Sequence, residues 1–490
     1  MTEQKKPPYG IIMILFSGAF VAIFTQTLLN IALPEIMIDL DITASTAQWL
    51  VTGYMLVNGI LIPASAFLIQ RYSNRAIFIV AMSLFSLGTL LAAIAPVFSI
   101  LLAGRMIQAA GAALMMPLLM NVMLAAFPVE KRGQAMGYFG LVMVVAPAIG
   151  PTLSGFVIEH YSWRVLFYII LPLALIPLAL GIFKMKNLTF QDRGLSLDKV
   201  SLIFSSLGFG GILYGFSSAG TKGWTDPIVI ATIIVGVVSL IIFGFRQLRL
   251  EKPLLEIRIY KYPMFALSSA ISVAISMSMF SAMILMPIYI QTIKGISPID
   301  SGLLMLPGAL VMGAMSPITG RLFDRFGAKV LAIPGLLIVV LTTYMFSQLS
   351  LDSSYFNIMM IYTLRMLGIS LVMMPVMTNG LNTLPIKSYP HGTAINNTLQ
   401  QVAGAVGSAF LITIMNTRTE STAKDLAASG TNPESIMNLA MLDGINFSFF
   451  VSTFIALVAL ILAFFIKKPT RPVSEAEKEI VYKRKEVNES

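Results

Sequence analysis

The chain carries few side chains that could do covalent chemistry. It has no cysteine, which excludes thiol nucleophiles, thiolate metal sites and disulfide scaffolds. Its two histidines, His160 and His391, lie far apart in sequence, so no metal site and no cofactor is expected. None of the 23 carboxylates falls at the centre of an apolar segment, and a membrane enzyme would therefore lack a catalytic acid pair. The apolar segments contain instead two arginines, Arg105 and Arg365, and amides at helical spacing. Gln108 follows Arg105 by three residues. Gln26 and Asn30 stand one turn apart, Asn396 with Gln400 and Asn397 with Gln401 repeat that spacing, and Gln291 and Asn379 add single amides. Residues three or four apart share a helix face, where amides either hydrogen-bond a solute or hold helices together. With 31 methionines for adaptable apolar contact, the expected cavity is plastic and polar only in spots. An arginine in the membrane is costly unless paired or hydrated. Arg105 and Arg365 must therefore either bond neighbouring helices or line that cavity.

The elements that hold these residues follow from composition. Of 490 residues, 57% are hydrophobic and 11% charged, against about 25% charged in a soluble domain; mean hydropathy is +0.83. So little charge cannot cover a water-facing surface, and the apolar excess must face lipid. A membrane-crossing helix needs roughly 20 apolar residues. Fourteen segments qualify: 10–34, 46–69, 76–96, 99–126, 133–157, 163–183, 199–219, 227–246, 263–293, 298–320, 329–348, 355–384, 391–416 and 444–466. With both termini in the cytoplasm, 26 basic residues fall inside and 5 outside, as the positive-inside rule demands. This distribution, rather than the net charge of +10, sets the partners: the lipid bilayer and not nucleic acid. The stretch 417–443 is expected to be an outer loop, and 467–490 a cytoplasmic tail.

The chain also repeats itself. Met115-Met-Pro-Leu-Leu-Met-Asn121 is echoed by Met373-Met-Pro-Val-Met-Thr-Asn379, each after an intramembrane arginine. Gly133-Gln-Ala135 recurs as Gly392-Thr-Ala394. Pro63-x-x-Ala66-x-Leu68-x-x-Arg71 aligns with Pro317-x-x-Gly320-x-Leu322-x-x-Arg325, and the offsets are 258, 259 and 254. Two six-helix units, 1–184 and 263–466, therefore flank an insert, 185–262, that holds two unpaired helices. Paired halves around a midplane site are the plan of many secondary transporters. No GxxxxGK[ST] loop is present, so ATP is not the energy source.

Four stretches resemble the major facilitator superfamily, in particular its fourteen-helix drug:proton antiporters of the EmrB/QacA type and their lincosamide-exporting branch. Gly320-Arg-Leu-Phe-Asp-Arg-Phe-Gly-Ala-Lys329 is similar to the family's loop motif GxLxDRxGxxK. There Asp324 can cap a helix or pair with Arg325 or Lys329 as a gate latch, with Gly320 and Gly327 allowing the turn. The first-half copy, Ala66 to Arg75, has Gln70 in place of the acid. Arg105-x-x-Gln108-x-x-Gly111 is similar to RxxQGxG. Gly137 to Gly155, with Gly150, Pro151 and Gly155, is similar to the antiporter motif of the fifth helix, whose small residues let helices touch. Thr27-x-x-Asn30-x-Ala32-Leu-Pro34 resembles DxTxxNxALP with Thr25 in place of the acid, and Ser162-Trp-Arg-x-x-Phe167 resembles SWRxxF, Trp163 also suiting an interfacial anchor.

The resemblance implies an all-α major facilitator fold and a monomeric multi-pass exporter in a bacterial cell membrane. It would move small amphipathic substrates out of the cell in exchange for protons. Without a central acid, neutral or weakly charged drugs fit better than cations. An endogenous lipid or anionic metabolite, with Arg105 and Arg365 as counter-charges, is the alternative. Glu35 is the first candidate proton carrier, followed by Asp443, Asp300 and Asp324.

The cysteine-free chain allows a direct topology test. Lys222→Cys or Lys294→Cys should react with a membrane-impermeant maleimide added to whole cells. Arg75→Cys and Lys387→Cys should react only once the membrane is opened; the reverse pattern would invert the topology.

Overall fold

The computed structural model describes residues 8–47, 49–128, 131–187, 191, 194, 197–429 and 433–468. In lipid every backbone polar group must be satisfied within the protein, which favours helices. Among the described residues fourteen long helices result: α1 (Tyr9–Asp39), α2 (Trp49–Arg71), α3 (Asn74–Ala93), α4 (Phe98–Ala126), α5 (Arg132–His160), α6 (Arg164–Lys184), α7 (Lys199–Lys222), α8 (Pro227–Arg249), α9 (Pro263–Ile288), α10 (Pro298–Phe326), α11 (Ala328–Phe346), α12 (Tyr355–Asn382), α13 (Tyr389–Ala428) and α14 (Pro433–Ala463). Thirteen of them carry, among the described residues, a stretch long and apolar enough to cross a membrane. Side-chain caps start several helices. Ser73 accepts from the N–H of Ala76, Asp226 from those of Ile228 and Val229, and Ser354 from that of Asn357. Gly327 ends α10 at φ +83°, a conformation that favours glycine.

The helices between 9 and 184 and those between 263 and 463 form two similar sets. In the first, α4 packs on α2 and α3, and α1 on α5; in the second, α12 packs on α10 and α11, and α9 on α13. Both sets use the same small-residue device. A Cβ on Gly88 of α3 would lie 2.4 Å from the backbone nitrogen of Gln108 on α4, and one on Gly335 of α11 would lie 2.8 Å from the carbonyl oxygen of Gly368 on α12. The buried apolar side chains fall into two cores, and the first runs on into Met374, Met377, Leu381, Tyr389 and Ala394 of α12 and α13.

Side-chain bonds sort the connecting segments into two ends. Asn74 meets Lys186 and Asn187, Arg132 meets Asn382, and Asn379 meets Lys467, gathering the loops rich in lysine and arginine at what is here termed the basic end. At the opposite end Arg164 meets Asp39 and Ala95, and Asn446 meets Leu349.

α7 and α8 pair through Gly211 and Gly236, where added Cβ atoms would lie 2.7 Å from the Thr232 oxygen and 2.8 Å from the Ile212 nitrogen. α7 rests on α2, with Trp49 stacked on Tyr214 at 5.7 Å, and on α13, where the Trp224 indole donates to the Thr413 hydroxyl at 2.5 Å. α8 turns Ile234, Val238, Ile241 and Phe245 outward. At the basic end Asp198 accepts both Nε and Nη2 of Arg246, at 2.8 and 3.0 Å. That guanidinium is the main reason the Asp198 carboxyl is held down to about 2.

The outer segment 417–443 departs from expectation. α13 continues to Ala428 and α14 begins at Pro433, so most of the predicted loop is helical. Asp443 accepts from Arg418 at 2.7 Å and from Thr422 at 2.5 Å, and Gly444 lets α14 touch Thr419 and Met415. These cross-helix bonds extend a polar stretch that no apolar pattern marks. α1 likewise passes Pro34 and ends at Asp39 rather than near residue 34.

The α7–α8 contact leaves no room for a side chain. Gly236→Leu should force the helices apart, at a cost of about 1–3 kcal/mol, read as a lower Tm in detergent and a loss of monodisperse protein. An unchanged Tm would show that the pair is held elsewhere.

Candidate functional site

The first and last helix sets touch most intimately at the basic end, where α5 crosses α10. A Cβ on Gly320 would lie 2.2 Å from the carbonyl oxygen of Gly133, and one on Gly137 would lie 2.5 Å from that of Ser316. Backbone is in contact with backbone. Onto this crossing Asp324 directs its carboxylate. Its two oxygens accept the N–H groups of Gly133 (2.8 Å) and Gln134 (2.9 Å), in the first turn of α5. The first N–H groups of a helix lack internal partners and carry partial positive charge, so a carboxylate satisfies both needs. Asp324 is thus a helix cap, but for a helix of the other set. Arg325 of the same motif lies over the Phe326 ring.

Beside it Arg132, 5% exposed, donates to Asn382 at 3.1 Å and to the Tyr389 hydroxyl at 2.5 Å, with its guanidinium 4.9 Å from the Tyr389 ring centre. Gln70 and His391 meet at 2.8 Å, joining α2 to α13. Arg132, Tyr389 and Asn382 were not singled out from sequence. Arg132 stood in a loop cluster counted only for its charge sign, and no local pattern pairs it with α12 or α13.

The two intramembrane arginines sit inside their own sets. Arg105 on α4 is 1% exposed; it donates to Gln108 at 2.5 Å, and its guanidinium lies 4.3 Å from the centre of the Tyr54 ring on α2. Gln108 passes the chain on to Thr89 of α3 at 2.7 Å. Arg365 on α12 is fully buried; it donates to the hydroxyl and the carbonyl of Ser278 on α9, both at 2.9 Å, and to Thr343 of α11 at 3.3 Å. Each arginine thus ties together helices of one set.

The other sequence candidates disperse. Gln26 on α1 is half-buried, beside Thr25, whose hydroxyl bonds back to Val21. On α13 Asn396 is buried and Gln400 half-buried, its amide 3.7 Å from the Met377 sulfur. Gln291 is exposed in a π turn after α9, within 3.4 Å of Ser301, and Asn379 is buried at the basic end, donating to the Lys467 carbonyl. The side chains of Asn30 and Pro151 lie outside the described residues. Gly150 is buried and a Cβ on Gly155 would meet nothing, but Ser154 between them donates to the Leu28 carbonyl at 2.7 Å and fastens α5 to α1.

Of the candidate carboxylates, Glu35 is exposed at the end of α1 away from the basic end. Asp300 is exposed and bonded to Ser297, Asp443 is held by Arg418, and Asp324 sits in the α5–α10 crossing. Sequence reasoning overlooked Asp39. It accepts from Arg164 at 2.7 Å and from the Trp163 indole at 3.0 Å, and the guanidinium holds its carboxyl below the usual range. Trp163 is therefore a buried tie, 1% exposed, rather than a lipid-facing anchor.

A family profile described as Major Facilitator Superfamily matches residues 15–408. The MFS-type transporter YcnB of Bacillus subtilis is 48% identical over 97% of this chain and 99% of its own. The lincomycin resistance protein LmrB of the same organism is 45% identical over 95% of this chain and 97% of its own. The solved structure of the human organic anion transporter MFSD10 superposes with a TM-score of 0.67 at 12% identity, over 94% of this chain and all of that one; at that identity the likeness is one of fold.

The cap at the α5–α10 crossing is testable by itself. Asp324→Asn weakens both backbone bonds, at a cost of about 1–2 kcal/mol. Spin-label distances across the basic end should then shift toward separation roughly 5–30-fold in population. Unchanged distances would show that the carboxylate does not hold the crossing.

Proposed function

Because this chain belongs to the major facilitator superfamily, we propose that it exports small amphipathic drugs or toxic compounds from the cell in exchange for protons, by alternating access. It is a multi-pass transporter of the cell membrane. The observation that carries the finer reading is the α5–α10 crossing. It is a seam where backbone meets backbone at Gly133, Gly137 and Gly320, and where one carboxylate joins two N–H groups across it. Alternating access requires a seam of that kind, closed in one state and open in the other. With the basic end in the cytoplasm, this is the state closed toward the inside.

The polar groups near the expected cavity support neutral or weakly charged substrates. Thr25 stands where related antiporters carry an acid, and it spends its hydroxyl on its own helix. Gln26 and Gln400 remain partly accessible, with Met377 beside Gln400. The likeness to a lincomycin resistance protein points the same way. Anionic metabolites or lipids are the second reading. The bonds of Arg105 and Arg365 to partners in their own helix sets weigh against it, because Gln108 and Tyr54, or Ser278 and Thr343, occupy most of each guanidinium and leave one nitrogen of each without a partner.

Proton exchange needs a titrating group that meets the outer solution when the inner side is closed. Glu35 meets that description. Asp443 is already neutralised by Arg418, and Asp324 is engaged at the opposite end. In inverted vesicles with a preset pH gradient, adding a transported compound should partly collapse the gradient. Glu35→Gln should cut that response roughly tenfold with substrate binding retained. No response to any transported compound would rule out antiport, and a full response in the variant would clear Glu35.

A further inference from the structure

The internal repeat places α2 opposite α10 and α5 opposite α13. Under the offset of 254, Gln70 corresponds to Asp324; under the offset of 259, His391 corresponds to Arg132. The crossing of α2 with α13 is thus the counterpart of the crossing that Asp324 latches, and its acid has become an amide. In its place the structure shows a contact of another kind. The amide nitrogen of Gln70, which also donates to the Ala66 carbonyl at 3.2 Å, lies 2.8 Å from Nε2 of His391, and the N–H of Glu256, in the segment joining α8 to α9, donates to Nδ1 at 3.2 Å. The ring is 8% exposed.

This geometry fixes the protonation state. Nδ1 accepts a backbone N–H, so it carries no proton. The single proton of a neutral ring then sits on Nε2, so the Gln70 amide is assigned in its flipped orientation, the oxygen accepting from Nε2–H and the bond to the Ala66 carbonyl given up. A second proton would place an N–H on Nδ1, facing the N–H of Glu256 donor against donor. It would also bury a charge, since the ring is almost out of water. The arginines of the adjoining segments are engaged elsewhere, Arg71 over the Phe67 and Tyr72 rings and Arg132 with Asn382 and Tyr389. The nearby acid, Glu256, has its carboxylate turned to Arg258, accepting its backbone N–H and pairing with its guanidinium at 3.6 Å.

We propose that His391 is a proton-operated second latch at the basic end. Neutral, it ties α13 to α2 and to the segment before α9; protonated, it releases both and favours opening of that end. It acts by positioning helices and touches no substrate. The role in transport rests on the proposed exchange of protons: a proton that arrives from outside would loosen the inner closure in the direction an antiporter needs. Histidine suits the task because its ordinary pKa lies near neutrality, where a carboxylate such as Asp324 stays charged.

The absence of cysteine makes the test clean. Tyr72→Cys just after α2 and Lys387→Cys before α13, both exposed positions, carry spin labels in the full-length protein in lipid nanodiscs, with neither substrate nor gradient present. Between about pH 8 and about pH 5.5, which brackets the ordinary histidine range, the population with the labels far apart should rise roughly fivefold. His391→Gln should abolish that rise. Gln70→Asp supplies a carboxylate to the protonated ring and should reverse its sign, so that acid favours closure; this variant carries the test should His391→Gln fail to fold. Distances that ignore pH in the parent protein, or respond equally in His391→Gln, would overturn the proposal. Because no transport is measured, a failed latch and a failed export reading are told apart. The latch can fail here while export persists, or respond to pH in a protein that moves no drug.

Discussion

The contact of backbone with backbone where α5 crosses α10 is the constraint on which the rest depends. Glycines at 133, 137 and 320 bring two helices from different helix sets closer than side chains allow, and dispersion between surfaces that fit is what holds helices together in lipid. That fit is indifferent to whether it is made or broken within a few kcal/mol. Direction must come from polar groups at its edge, and the polar group here is a carboxylate on the first turn of a helix. Such a bond is strong when dry and readily exchanged for water when the seam parts.

The same logic explains how the arginines are used. In a bilayer a lone guanidinium is expensive, and both intramembrane arginines answer part of that cost locally, with Nε of Arg105 and one Nη of Arg365 left without a partner. Arg105 bonds an amide and lies over a ring, and Arg365 reaches a serine and a threonine on two neighbouring helices. They stiffen each half as a unit. Rigid halves are what a rocking mechanism needs, because movement then concentrates at the seam between them instead of dissipating within either one.

The two halves have kept one architecture and divided the chemistry. On one side of the basic end the latch is a carboxylate on backbone N–H groups; on the other it is a histidine between an amide and a backbone N–H. α7, whose outer end bonds α13, lies across α2 and α13, the helices joined by the histidine latch. The inserted pair therefore packs against both helices of that crossing, while its own tight glycine contact keeps α8 attached.

The sequence by itself determined the all-helical membrane class and most of the helix positions. Lipid makes those features legible, since it requires long apolar runs and sorts lysine and arginine to one side of each loop. Gly320 to Lys329 was readable too, because the spacing of glycines and charges is local. Tertiary structure alone decided what each polar group is for. Asp324 could have paired with Arg325 or Lys329 and instead caps α5. Arg105 and Arg365 could have faced a solute and are held by Tyr54, Gln108, Ser278 and Thr343. Trp163 could have floated at the interface and is buried against Asp39, and the predicted outer loop became helix because Arg418 and Thr422 found Asp443. In each case the partner lies on another helix, and apolar periodicity carries no record of which polar residues will meet across a gap. A membrane protein writes its topology in hydropathy, and its function in a few long-range hydrogen bonds that only packing brings together.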